Sequence, residues 1–365
     1  MSIALCLIAG DATTFCRTDF FDNPAAPDVC NDMSMPIAVT MGDINGVGPE
    51  VIAKAFAHGR LDDSVIPLIV GCVRAYNAAR ESIPGAPEPV EVSTAKLAGA
   101  HWPRLAFLDS AAPAPERRAG CLDPEAGRAA MEWLARAVDL AVRGEVAGVV
   151  TCPIHKEGIH RAGFAFRGHT DFIADRTGTQ AYRMSLYVRG VLILHLTDHV
   201  PLRDALDAVT ADRIVETVRL ADRALRQLQS PRRRIAVAGL NPHAGEAGAF
   251  GTEERVMIAP AVAQCRAEGL ECSGPHSPDA IFRQALDGEF DAVIALYHDQ
   301  GHIPIKMMAM DEGVNVTLGI PIVRTSVDHG TAYDIAGTGR VREGSFIQAY
   351  RLAARMARGH AEAHT

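Results

Sequence analysis

The sequence predicts a two-lobed α/β protein, on three observations. The chain has 365 residues, more than one ordinary core takes, so two lobes are expected. Short apolar strands alternate with helices through the first half, the pattern of a largely parallel sheet. Two apolar strands, Tyr182–Val188 and Val191–Leu196, then follow one another across Arg189-Gly190 alone. That reads as a hairpin and puts antiparallel pairing in the second half.

In chain order, Ile37–Thr40 is strand-like and runs into Gly42-Asp43-Ile44-Asn45-Gly46-Val47-Gly48-Pro49-Glu50. A helix is expected from Pro49 to Ala57, with proline in its first turn. Such an N-terminus is placed to face an anion, although a plain tight turn explains the glycines as well, and the GxGxxG spacing is absent. Strands follow at Ser64–Gly71, Arg104–Leu108 and Val146–Thr151, with a helix over Val73–Glu81. Pro84–Pro89 reads as a loop and Ala111–Gly120 as a linker. Asp123 caps a long helix that has Pro124 at its first position. Met131, Leu134, Val138 and Ala141 give that helix one apolar face. After the hairpin, helices are expected at Ala211–Leu228, Glu253–Glu268, Asp279–Leu286 and Ser345–Arg358. Strands are expected at Arg234–Leu240, Ala292–Leu296, Val314–Leu318 and Ile322–Val327.

Bulk composition excludes several classes. Hydrophobic residues make up 48% and the net charge is −8, so a core is affordable and no basic stripe invites nucleic acid. No apolar run reaches the ~20 residues that span a bilayer. The eight cysteines show no paired spacing and read as reduced thiols of a cytoplasmic protein. Residues 1–34 lack the basic start of a signal peptide. They are expected to be a disordered extension, or to precede the true start.

Chemistry concentrates at strand ends. Val191–Leu196 leads to Thr197-Asp198-His199, Ile235–Leu240 leads to Asn241-Pro242-His243, and Ala292–Leu296 leads to Tyr297-His298-Asp299-Gln300. Each histidine is expected in a loop beyond the C-terminal end of a strand, the edge where α/β sheets bind ligands. Three neutral imidazoles suit a divalent metal with open positions; acid–base work without metal is the alternative. Lys306, Asn315 and Arg324 follow at intervals of nine. An arginine fork and a lysine suit a carboxylate or phosphate. Gly168-His169-Thr170-Asp171 precedes a short helix at Phe172–Arg176, where His169 and Thr170 either bind a phosphate or merely cap the helix.

Taken together, MGDINGVGPE (41–50), CPIHKEGI (152–159), GHTDF (168–172), DHVPLRD (198–204), GLNPHAGEAGAFGTEE (239–254), YHDQGHIPIK (297–306), GVNVTLG (313–319) and RTSVDHGTAYDIAG (324–337) resemble the 4-hydroxythreonine-4-phosphate dehydrogenase family over residues 35–355. The resemblance implies a fold similar to isocitrate and isopropylmalate dehydrogenases, two-lobed with a mixed central sheet and not Rossmann. Residues 35–157 plus 325–365 would form a cofactor-side lobe, and 158–324 a metal, substrate and dimer-interface lobe. It implies a homodimer with shared active sites and metal ligands at His199, His243 and His298, drawn from both subunits. Zn2+ suits three histidines; Mn2+, Co2+, Ni2+ or Mg2+ are the other candidates. It implies substrate contacts at His169, Thr170, Lys306, Asn315 and Arg324. NAD or NADP would be held by His329, Gly330, Thr331, Ala332, Asp334, Ala336 and Gly337.

One departure bears on the substrate. Members of the vitamin (pyridoxine) pathway read HDQGLPxLK, whereas this chain has His302-Ile303-Pro304-Ile305. That form resembles a branch acting on D-threonate or D-erythronate 4-phosphate. It also resembles a branch that oxidises ring cis-diols, which lacks the His-Thr pair kept here at His169-Thr170. The expected reaction is NAD(P)-dependent, metal-assisted oxidation of a phosphorylated 3-hydroxy acid with loss of CO2. Lys306 or Asp299 would move the proton. A cis-dihydrodiol dehydrogenase and a cofactor-free metal hydrolase or lyase are the competing readings.

Overall fold

The structure is a computed structural model and describes residues 35–59, 61, 65–93, 104–108, 114–309 and 312–362. The expectation for residues 1–34 lies outside these. So do parts of the expected strand at Ser64–Gly71 and of the linker at Ala111–Gly120.

The first half gives β1 (Ile37–Thr40), α1 (Gly48–Ala57), β2 (Pro67–Val70), α2 (Val73–Arg80), β3 (Val90–Val92), β4 (Ala106–Leu108), α3 (Pro124–Val142), β5 (Gly148–Thr151), α4 (Lys156–Arg161) and α5 (His169–Arg176). The second half gives β6 (Arg183–Val188), β7 (Val191–His195), α6 (Leu202–Asp207), α7 (Ala211–Gln227), β8 (Ile235–Ala238), α8 (Ala259–Ala267), β9 (Cys272–His276), α9 (Ile281–Leu286), β10 (Ala292–Ala295), α10 (His298–Ala309), β11 (Val314–Leu318), β12 (Arg324–Ser326) and α11 (Gly344–Glu362). As expected, Asp123 caps α3, its side chain accepting from the Glu125 N–H, with Pro124 in the first turn.

The strands form one 12-stranded sheet, ordered β3-β4-β2-β1-β5-β12-β11-β6-β7-β10-β8-β9. Its flanks are parallel, whereas β12–β11, β11–β6 and β6–β7 pair antiparallel. The sheet is therefore mixed. The β6–β7 turn is the predicted hairpin, with Arg189 and Gly190 both at positive φ (47° and 86°), the combination a tight two-residue turn demands. Interior strands β1, β2, β5, β7, β8 and β10 are buried along their whole length. That is why they read as unbroken apolar runs rather than alternating ones. Amphipathic α3 and α7 lay their apolar faces on this sheet, with Trp133 and Leu134 of α3 and Ile214 and Val218 of α7 fully buried.

Three elements differ from the sequence expectation. Tyr297–Lys306 is not a loop, because α10 begins at His298 itself. His169 and Thr170 likewise lie in the first turn of α5 and not before it. Edge strands β3 and β9 were not anticipated. The first is three residues long and exposed at Val90 and Glu91, and the second contains Gly274 and Pro275, so neither carries an apolar strand signal.

Candidate active site

Strands β7, β10 and β8 are adjacent and parallel. The segments carrying His199, His298 and His243 leave their C-terminal ends side by side. His199 stands in an exposed loop, and His298 opens α10. His243 starts a left-handed turn, in which His243, Ala244, Gly245, Glu246 and Ala247 all have φ between 40° and 79°. That turn is braced by Glu254. Its Oε1 accepts from the Leu240 and Asn241 amides (2.8 and 2.7 Å), and its Oε2 from the Asn241 side chain (3.0 Å).

Because 298–306 is helical, His298, His302 and Lys306 fall at i, i+4 and i+8 on one face. The His298 and His302 rings stack with centroids 3.9 Å apart, and His199 lies 5.3 Å from His298. His298 Nδ1 donates to Asp299 Oδ1 (2.7 Å), since a carboxylate only accepts; its Nε2 lone pair is left for a metal. Burial holds the His199 imidazole below its ordinary pKa, with Asp198 opposing and His298 adding. The His199 ring is thus presented as a neutral donor, the chemistry a divalent metal requires. Asp299, Ile303, Lys306 and Met307 line one open pocket with His298 and His302.

His243 stands apart from this pair, with Nδ1 3.9 Å from Asp279 Oδ2. Among the described residues of one chain, no three His, Cys, Asp or Glu side chains converge on a metal position. A single chain brings two of the three predicted ligands together.

Two supports were missed by sequence reasoning. Gln300 is buried; its Oε1 accepts from Leu296 N (2.7 Å) and its Nε2 donates to Gly239 O (2.7 Å). It therefore ties the ends of β10 and β8. His195, the last residue of β7, donates from Nδ1 to Met184 O (3.3 Å), so its Nε2 accepts from His302 Nδ1 (3.0 Å). Burial keeps both rings neutral, the His302 pKa falling to about 4 with His298 and Lys306 adding to the effect. The only signal in the sequence was a histidine inside an apolar strand.

Of the predicted anion-binding residues, Asn315, Arg324 and His169 lie near one another at mid-sheet. Asn315 and Thr317 share a face of β11, and Arg324 lies opposite Thr317 on β12. Arg324 is 4% exposed. Its Nη1 donates to Thr317 Oγ1 (2.9 Å) and its Nη2 to Thr151 Oγ1 (2.8 Å), while its Nε has no partner. No carboxylate pairs with it among the described residues, and burial lowers its pKa to about 10. His169 lies nearby with Nε2 buried and unpartnered; burial, with Arg324 adding, pushes its pKa down to about 3. Thr170 is half-buried beside it. Lys306 is exposed at the end of the histidine face and lines the pocket there.

The glycine-rich turn does not face an open cleft. Met41–Glu50 is buried throughout, and the predicted nucleotide segment lies over it, Val47 N donating to Thr331 O (3.0 Å). The tight-turn reading of these glycines is the one the structure supports. In that predicted segment, His329 Nε2 is buried without a partner, and Gly330 has open space where a side chain would stand. Those are features a bound dinucleotide would use. Asp334 and Gly337 are exposed, and Thr331, Ala332 and Ala336 are half-buried.

Comparison with known proteins agrees with the resemblance read from the sequence. Residues 66–353 match the family model described as pyridoxal phosphate biosynthetic protein PdxA. D-threonate 4-phosphate dehydrogenase of Salmonella typhimurium is 39% identical over 325 residues, 88% of this chain and 98% of that one. 4-Hydroxythreonine-4-phosphate dehydrogenase of Desulfosudis oleivorans is 42% identical over 309 residues, covering 83% and 90%. The crystal structure of 4-hydroxythreonine-4-phosphate dehydrogenase from Klebsiella pneumoniae superposes with a TM-score of 0.77 at 41% identity, covering 89% of this chain and all of that one. An α/β chain with this mixed sheet, matched over more than four-fifths of its length by such relatives, belongs to the PdxA family of 4-hydroxythreonine-4-phosphate dehydrogenases.

Proposed function

We propose that the chain oxidises a phosphorylated 3-hydroxy acid, of the 4-phosphooxy-L-threonine or D-threonate/D-erythronate 4-phosphate class, with NAD+ or NADP+, and that the product loses CO2. The observation that carries this reading is Arg324. A buried guanidinium with no carboxylate partner and a free Nε is costly unless an anion completes it. The His169 Nε2 beside it is equally unpartnered. Asn315 and Thr170 border the same cluster. A substrate with both a carboxylate and a phosphate supplies such anions. Retention of His169-Thr170 favours a phosphorylated acid over a cis-diol.

A divalent metal held by His199 and His298, with His243 from a second copy, would acidify the substrate hydroxyl and polarise the new carbonyl; Zn2+ suits the imidazole set. A nicotinamide dinucleotide along 329–337 would accept the hydride. Within the chain, Asp299 is engaged in orienting His298. Lys306 makes no hydrogen bond among the described residues and lines the same pocket, so it is the freer group to move the proton.

A homodimer would supply the third ligand. Exposed apolar side chains flank all three histidine segments: Leu202 and Leu206 beyond His199, Phe250 and Val256 beyond His243, Ile303 and Met307 beyond His298. A second copy of the chain is the cover this reading gives them. We read 35–157 plus 325–365 as the cofactor side and 158–324 as the metal and dimer side.

The test is dinucleotide reduction, followed by absorbance, with the three phosphorylated acids and a ring cis-diol, with and without chelator. Turnover confined to a phosphorylated acid and abolished by chelator is expected. Turnover of the cis-diol alone, or product without dinucleotide, overturns the reading. Mixing inactive His243→Ala and His298→Ala proteins should restore part of the activity if ligands come from two copies.

A further inference from the structure

The MGDINGVGPE block has no exposed ligand surface, yet its polar residues are spent in one direction. Asp43 Oδ2 accepts from the Tyr333 hydroxyl (2.6 Å). Val47 N donates to Thr331 O (3.0 Å). Glu50 is fully buried, its Oε1 accepting from Gly337 N (2.5 Å) and its Oε2 from Gly339 N (2.9 Å). Lys54 Nζ donates to Gly339 O (3.3 Å) and Val341 O (2.7 Å). His58 Nδ1 meets Glu343 Oε1 at 2.7 Å. Positions 47, 50, 54 and 58 follow the three-then-four spacing of one helix face. Their partners advance steadily from 331 to 343, so the segment is laid along α1 contact by contact.

The surroundings are shaped for the same contact. A side chain at Gly46 would stand 2.8 Å from Thr331 O, and one at Gly120 2.8 Å from Tyr333 O. His155 stacks on Tyr333 with centroids 4.7 Å apart and rings 16° from parallel. Arg117 closes the back, its Nη2 donating to Glu50 Oε1 (2.6 Å) and its Nε to Ile44 O (2.9 Å). The carboxylate of Glu50 fills a nest of backbone N–H groups that would otherwise face an anion.

We infer that Asp43, Glu50 and Lys54 are positioning residues for the dinucleotide, and that the β1–α1 turn is the mount on which the 329–343 segment is held in its binding conformation. This rests on the reading of 329–337 as the dinucleotide segment. A preformed segment loses less freedom when the cofactor binds, and the mount lowers its dissociation constant by that amount.

Lys54→Met keeps the helix and removes only the two carbonyl contacts; Tyr333→Phe removes only the bond to Asp43. Both, with Lys54→Arg as the conservative control, are compared with the unaltered enzyme. Two quantities are read: amide hydrogen exchange at Gly337 and Gly339 without cofactor, and KM for dinucleotide against KM for the phosphorylated acid. Faster exchange in the Met and Phe variants is expected. With it should come a KM for dinucleotide raised about tenfold, the factor that about 1.4 kcal/mol represents, an unchanged KM for the acid, and values near the unaltered enzyme in Lys54→Arg. Unchanged exchange overturns the mount. Faster exchange with unchanged dinucleotide KM overturns instead the reading of 329–337 as the dinucleotide segment. Equal increases in both KM values reduce the contacts to general stability and overturn the positioning role.

Discussion

Replacing Gln300 by leucine tests whether the strand ends that carry the site are held by one side chain. Gln300 is 8% exposed and makes one bond to Leu296 N and one to Gly239 O, both 2.7 Å. Leucine fits the space but satisfies neither group. A buried backbone group left unpaired costs roughly 1–3 kcal/mol, so the two cost about 2–6 kcal/mol. The extra apolar burial of leucine returns roughly 1 kcal/mol. A net loss of about 1–5 kcal/mol is expected, read as a lower urea midpoint at unchanged slope. Gln300→Glu keeps the acceptor for Leu296 N but turns a second oxygen on Gly239 O, and should be no better. Because Gly239 lies just before the His243 turn and Leu296 just before His298, turnover should fall further than stability alone requires. A loss under about 0.5 kcal/mol in the leucine variant would refute the assignment of Gln300 as the tie.

Gly301→Ala should destabilise the fold by roughly 1–3 kcal/mol and disturb the histidine stack, because the new methyl would stand 2.6 Å from His195 Nε2 and 3.0 Å from Ala295 Cβ; thermal denaturation at an unchanged temperature would contradict this. Glu254→Gln should loosen the His243 turn by replacing one acceptor oxygen with a donor, and the expected result is weaker metal binding by calorimetric titration with the Arg324 cluster unaffected. His169 gives a pH dependence. Its folded pKa, about 3, lies below the ordinary value of 6.5, so the unfolded chain binds the proton first and stability is lost as pH falls from 6.5 towards 3. Between pH 7.5 and 5.5 that is about 1.4 kcal/mol, and His169→Asn should lose this part of the slope in denaturant titrations.

Strands buried on both faces were legible because their apolar runs are continuous, and the hairpin because Arg189-Gly190 left no other connection. Helix α10 was not legible. Gly301 and Pro304 inside it argue against a helix on propensity alone. Packing overrides that preference, because any side chain at 301 would enter His195. The three histidines could be placed at strand ends from sequence. That His298 and His302 would stack, while His243 lies beside Asp279, depends on helix phase and on a backbone conformation that no short pattern announces. The MGDINGVGPE block was legible as a turn but not as a mount, since its partners lie some 290 residues further on.

The turn at His243 gives a physical reason to take that residue seriously although it joins no cluster within one chain. Four residues of its left-handed run are not glycine: His243, Ala244, Glu246 and Ala247. Each such residue costs roughly 1–2 kcal/mol relative to an ordinary conformation. A turn selected only to connect β8 to the next helix would relieve that cost with glycine or asparagine at little loss. Instead the strain is retained and countered from outside, by three hydrogen bonds to one buried carboxylate, Glu254. Gly245 stays glycine because a side chain there would stand 2.6 Å from Glu254 Oε2. Strain held in place by neighbouring structure is characteristic of positions where direction matters more than stability. Here the direction held is that of an exposed imidazole leaving the strand edge that His199 and His298 share. An imidazole that joins no cluster within its own chain, on a backbone braced in one conformation, fits the proposed site completed by a second copy better than it fits a loop of no function.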